Sequence, residues 1–165
     1  MSKKLKLALT AALALVFVSS AAYVTIKAMA PKKSPHGFRP PQCTWWVDNR
    51  CAQDGWILNF KQDHGRDACL WPTLLVNGTK IPTPKPGCIA AFAPWPGGPV
   101  GHVAFVESVD GDAFTISHAN YAVGEMSKIF EQVPVRQVKM IAGKNGRARF
   151  DGSVMDFEMT FLARE

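Results

Sequence analysis

Gly101-His102-Val103-Ala104-Phe105-Val106-Glu107-Ser108-Val109, then Asp110-Gly111, then Ala113-Phe114-Thr115-Ile116-Ser117-His118: this stretch decides the fold. Its first part is rich in valine and phenylalanine, side chains that suit a pleated, buried surface. Asp-Gly is a hairpin turn signal, and the second part then returns antiparallel. The turn lies near the midpoint between His102 and His118. The hairpin therefore brings the two imidazoles near each other on adjacent strands. Asn120 lies two residues beyond His118 and shares its face if the strand continues.

On the N-terminal side of this hairpin, Cys88-Ile89-Ala90-Ala91-Phe92-Ala93 is short and apolar, bounded by Pro86-Gly87 and Pro94, and reads as a buried strand. Further strands are expected at Val133–Ile141, Ala148–Phe150 and Met155–Leu162. The segment 143–165 carries no motif; it either adds edge strands or covers a cleft. Residues 53–86 read as loops with one or two short helices, punctuated by glycines and prolines, with Trp71, Leu74, Leu75 and Val76 as core contacts. A helix is expected from Thr44 to Ala52, where no Gly or Pro interrupts and Trp46, Val47 and Cys51 share a face. Helices lead and an antiparallel sheet follows, an α+β order.

Residues 1–30 have a basic head at Lys3, Lys4 and Lys6, then an apolar run with small residues, the pattern of an export signal. The run 7–26 is also about long enough to span a bilayer, so an uncleaved membrane anchor stays open. Residues 31–41 read as a Pro/Lys linker, leaving 42–165 as one domain. The formal charge is +6, but it belongs to the leader and linker: from Gly37 onward 13 Lys/Arg balance 13 Asp/Glu. The charge gives no reason to expect nucleic-acid binding by the domain.

The candidate nucleophile is Cys43, which follows Pro40-Pro41-Gln42 at the head of the expected helix. Helix-terminal N–H groups favour a thiolate and can hold an oxyanion. A cysteine nucleophile needs a base, and the base needs an orienter. His102 and His118 with Asn120 supply these. The competing reading of Cys43 is a buried small side chain or half a disulfide. Cys51, Cys69 and Cys88 are the disulfide candidates, Cys51 with Cys69 preferred and Cys69 with Cys88 close behind. The cysteine gaps are too long for a zinc cluster, and Asp110 and Asp112 read as turn residues, so no metal or cofactor is expected.

Gln42-Cys43-Thr44-Trp45-Trp46, Pro86-Gly87-Cys88-Ile89-Ala90-Ala91-Phe92, Gly101-His102-Val103-Ala104 and Ser117-His118-Ala119-Asn120-Tyr121 together resemble the blocks of the CHAP family, the cysteine, histidine-dependent amidohydrolases/peptidases. The resemblance implies a papain-like fold, with N-terminal helices packed on an antiparallel β-sheet. It implies hydrolysis of an amide bond in peptidoglycan, with Cys43 as nucleophile and His102 as base. Many members have Glu where His118 stands, and Cys88 replaces the usual polar residue. A neutral imidazole at 118 can fix the tautomer of His102 but brings no negative charge. Gln42 is expected to assist the oxyanion, and Trp45, Trp95 and Tyr121 to line a groove for a glycan or stem peptide; Trp46 and Trp71 read as core.

The resulting expectation is an exported cell-wall hydrolase, periplasmic, wall-bound or secreted, that binds peptidoglycan. The alternatives are an inactive wall-binding or structural module and an amidase acting on a non-wall substrate.

Overall fold

The computed structural model describes residues 33–40, 42–61, 67–119 and 136–165. The leader, with its expected anchor at 7–26, lies outside the described residues, as do Asn120 and Tyr121. Helix α1 spans Cys43–Gln53, a 3-10 turn spans Ala68–Leu70, and a short helix α2 spans Trp71–Leu74. Strands follow: β1 Gly78–Ile81, β2 Ile89–Phe92, β3 His102–Asp110, β4 Ala113–His118, β5 Arg136–Ala142, β6 Arg147–Phe150 and β7 Asp156–Arg164.

Every strand pairing is antiparallel. The sheet runs β2-β3-β4-β5-β6-β7, and β7 pairs again with β2, so six strands close into a barrel. β7 achieves this by using both edges. Its first residues pair with β6, its middle with β2, and its last residues with the added strand β1.

This corrects the expected α+β, papain-like arrangement of helices on an open sheet. The fold is a closed β-barrel with one three-turn helix on its wall. The strand positions from Ile89 onward were sound, but β1 falls within 53–86, where only loops and short helices were expected, and the partner of the last strand was not readable. β7 is no edge: it pairs Leu162 with Ile89 across more than half the domain. Full closure leaves no edge among the six strands, whereas an open sheet would expose two.

Two apolar clusters follow from the closure. Inside the barrel, Phe92, Ala104, Val106, Phe114, Met140 and Phe161 pack together with other inward side chains. Outside it, Ile89, Ala91, Val103 and Phe105 meet Val47 and Cys51 of α1. β2 is thus buried on both faces, which explains its unbroken apolar run. Trp71 and Leu75 join the outer cluster as expected, but Val76 is exposed and Leu74 half-buried.

Residues 33–40 are more than a tether. The His36 backbone N–H donates to Oδ2 of buried Asp48 at 2.9 Å, and its Nδ1 meets Oδ1 at 2.8 Å. Phe38 is buried against Trp71, with ring centroids 5.8 Å apart. This strap is held to α1 and to the loop region from its own side chains.

Candidate active site

Cys43 is the first residue of α1, and Gln42, in extended conformation, caps it. Just before the helix the chain turns, the Gln42 N–H donating to the Arg39 carbonyl at 3.2 Å, and proline in that stretch keeps the helix from starting earlier. The first helical bond runs from Trp46 N–H to the Gln42 carbonyl, leaving the N–H groups at the helix head without intrahelical partners. The backbone N–H groups of Val103, Thr44 and Cys43 itself all favour the thiolate of Cys43. Val103 is the residue after His102, so the helix head lies against the start of β3.

Burial raises the Cys43 pKa, and these N–H groups only partly offset it. Cys43 keeps some access to solvent, which softens the effect of burial. The N–H groups act in the expected direction, but desolvation is the larger effect. Cys43 lines a pocket of about 330 Å³ together with Phe38, Arg39, Gln42, Thr44, Asp67 and Gly101, among others.

His102 and His118 are brought together as the hairpin predicts. Nε2 of His102 lies 3.3 Å from Nδ1 of His118, and both side chains are buried. Burial, and then the neighbouring His118, hold the His102 pKa well below its usual 6.5. His102 also meets the Phe92 ring edge-on, at 5.4 Å between centroids.

The remaining expected residues divide. Trp45 is half-buried against the outer core and sits beside Trp46, whose Nε1–H donates to Ser117 Oγ at 2.9 Å. Trp95 packs edge-on against Phe157 at the barrel end, 5.5 Å between centroids, and does not line the Cys43 pocket. Asn120 and Tyr121 lie outside the described residues.

All four cysteines are free thiols, so neither expected disulfide forms. Cys51 points into the outer cluster and Cys88 belongs to the barrel interior, on the other side of β2. Burial raises the Cys51 pKa strongly and pushes that of Cys88 up to about 11. Among the described residues no group of three or more His, Cys, Asp or Glu is placed to hold a metal.

Sequence reading missed Phe38, Arg39 and Asp67 at the pocket, and a polar chain behind the site. Arg50 of α1 makes two bonds to Glu107 of β3, Nε to Oε1 at 3.0 Å and Nη2 to Oε2 at 2.8 Å. Ser117 Oγ donates to Glu107 Oε1 at 2.6 Å. The one sequence signal for the strap was Phe38, an aromatic in an otherwise polar, proline-rich stretch.

A family model described as CHAP domain matches residues 33–120, more than half of the chain. A curated relative, the probable autolysin SsaALP of Staphylococcus aureus (strain NCTC 8325 / PS 47), is 36% identical over 104 residues. That alignment covers 61% of this chain and 37% of the relative, so the match spans little more than a third of the relative's length. A crystal structure of Ly7917 with the hydrolyzing product of MDP is similar at a TM-score of 0.48 and 15% identity, over 81% of this chain and 56% of that one.

Proposed function

Because the chain belongs to the CHAP domain family, we propose that it is an exported cysteine amidohydrolase/peptidase that cuts an amide bond of peptidoglycan. The observation that carries this reading is the position of Cys43. It heads a helix and lines a pocket, beside the backbone N–H of Val103, which directly follows His102 of the buried His102–His118 pair. The probable-autolysin relative supports the choice of cell wall as substrate, and the basic, apolar leader supports export to the periplasm, wall or medium.

The chemistry follows from the protonation states. Burial keeps the thiol protonated and the imidazole neutral at rest. The pair works by general-base transfer as the thiol attacks, without a preformed ion pair. With Nε2 of His102 turned to His118, Nδ1 takes the thiol proton. His102 then carries its resting proton on Nε2 and donates to Nδ1 of His118, which is protonated on Nε2. The Cys43 sulfur bonds to the amide carbon, and the carbonyl electrons move to oxygen. N–H groups at the head of α1, with the Gln42 side chain, hold that oxyanion. His102 passes its proton to the leaving amine. Water then attacks the thioester, His102 takes a proton from it, and the carboxylic acid leaves with Cys43 restored. Asn120 is assigned as second orienter, and Trp45 and Tyr121 as contacts for glycan or stem peptide.

One observation favours a second reading, an inactive wall-binding module. His118 offers no negative charge to the His102 imidazolium, and burial disfavours both charged forms.

The test is purified chain on purified peptidoglycan, wild type beside Cys43→Ala, with fragments read by mass spectrometry. Fragments from wild type alone support the enzyme, and their masses name the bond. Binding to the wall without release of fragments supports the second reading.

A further inference from the structure

In the β3–β4 hairpin, Asp110 faces Ala113, Val109 faces Phe114 and Ser108 faces Thr115; then the register shifts, so that Val106 faces Ile116 and Phe105 faces Ser117. Glu107 is the extra residue of this β-bulge. The shift decides which way the histidines point. In an unbroken ladder His118 would stand opposite Phe105, on the outer face with α1. Residues directly opposite share a face, and one residue of slip reverses it. With the bulge, Ser117 takes that place, and His118 aligns with Ala104 on the inner face. His102 is on that same face, opposite Phe92.

The bulged residue also ties the three elements of the site together. Its carboxylate receives two bonds from Arg50 of α1, the helix headed by Cys43. The same carboxylate receives the hydroxyl of Ser117, which precedes His118. Ser117 in turn accepts from Trp46 of α1. Arg50 is held from a further side by the Phe105 ring, 4.3 Å from its guanidinium carbon. Burial pushes the Glu107 pKa up, but the bonds from Arg50 and Ser117 outweigh it and hold the carboxylate ionised.

We propose that Glu107 is a positioning residue: as the bulge of β3 it turns His102 and His118 to one face, and through Arg50 and Ser117 it fixes the helix bearing Cys43 against them. The proposal rests on Cys43 and His102 being the reacting pair, though not on the wall as substrate. Glu107 touches no substrate and acts only through these neighbours.

The experiment needs no substrate. The full chain, as wild type, His102→Gln, Glu107→Gln, Arg50→Gln and Ser117→Ala, is alkylated with iodoacetamide over roughly pH 5 to 10, spanning the ordinary His and Cys pKa values. The rate of adduct formation at Cys43 is read by mass spectrometry. Glu107→Gln removes a negative charge and Arg50→Gln a positive one, so an effect of charge alone moves their profiles in opposite directions. Loss of positioning moves both towards the His102→Gln profile. On the wall substrate, kcat then falls about tenfold or more with KM little changed, because small misplacements act on the chemical step. Ser117→Ala keeps the ion pair and gives a smaller shift the same way; it decides the matter if Glu107→Gln does not fold. Opposite shifts, or unchanged profiles with only a lower Tm, overturn the proposal. A wild-type profile identical to that of His102→Gln overturns the reacting pair and the positioning role with it. A His102-dependent profile without wall cleavage overturns only the substrate, and the Glu107 and Arg50 profiles still decide the rest.

Discussion

His102 and His118 meet edge to face inside one end of the barrel, ring planes 84° apart and Nε2 to Nδ1 at 3.3 Å. Two imidazoles in contact cannot both carry charge cheaply, and burial already disfavours the His102 cation. The His102 pKa therefore stays well below 6.5 in the fold. In the unfolded chain it returns to about 6.5. Above that pH both states are neutral and His102 contributes nothing to the pH slope. As pH falls from about 6.5 through the folded value, the unfolded chain takes a proton that the fold refuses, and stability is lost. The expected result is a Tm that drops on acidification in this window, with a shallower drop in His102→Gln. Equal slopes in the two proteins would refute the assignment.

His118 is the neutral neighbour of His102, 3.3 Å away, and a carboxylate in its place tests what that neutrality does. His118→Glu places a carboxylate against His102, and an opposite charge at that range favours the imidazolium. The His102 pKa is expected to rise, and Cys43 to be alkylated faster near neutral pH. The buried carboxylate also lowers stability, since it loses hydration. Proton titration of the His102 ring by NMR checks the first point. An unchanged titration would show that residue 118 does not govern the base.

Gly101 sets the start of β3. Its φ is +68°, a region that side chains avoid, and a Cβ there would stand 2.5 Å from the Phe92 carbonyl oxygen and 2.8 Å from the Cys69 Cβ. Gly101→Ala must move backbone directly beside His102. We expect a loss of roughly 1–3 kcal/mol from local strain and a larger fall in kcat than the loss of Tm would suggest. Thermal melting and wall assays on the folded fraction check it; a variant with normal kcat would show that His102 tolerates the shift.

Much of this was legible locally. The hairpin, β2, and the strands near 136–142, 147–150 and 156–164 follow from apolar runs and turn residues. Cys43 at the helix head follows from Pro40-Pro41. What was hidden is non-local. Closure depends on Leu162 finding Ile89, and a strand pattern does not name its partner. The bulge is invisible for the same reason: Glu107 reads as one more outward polar residue until the register on both sides is counted. The Cys43 proton balance also needed the fold, because burial and the helix head push in opposite directions and only packing sets which wins. Disulfides looked attractive on spacing alone, yet Cys51 and Cys88 face opposite sides of β2.

The strap makes the last prediction. Asp48 is 1% exposed and receives both the backbone N–H and Nδ1 of His36. Asp48→Ala removes both acceptors and leaves the strap held by ring contacts, Phe38 on Trp71 and His36 on Phe60. Leaving buried polar partners unsatisfied costs about 1–3 kcal/mol. Since Phe38 and Arg39 line the Cys43 pocket, the variant is expected to raise KM on wall fragments more than it lowers kcat. It also gains a protease-sensitive site within residues 33–40. Asp48→Asn keeps an acceptor for the His36 N–H and falls between wild type and Asp48→Ala. Limited proteolysis with mass readout, beside steady-state kinetics, separates the outcomes. A lower Tm with unaltered KM and no new cleavage would mean that the strap braces α1 without shaping the pocket.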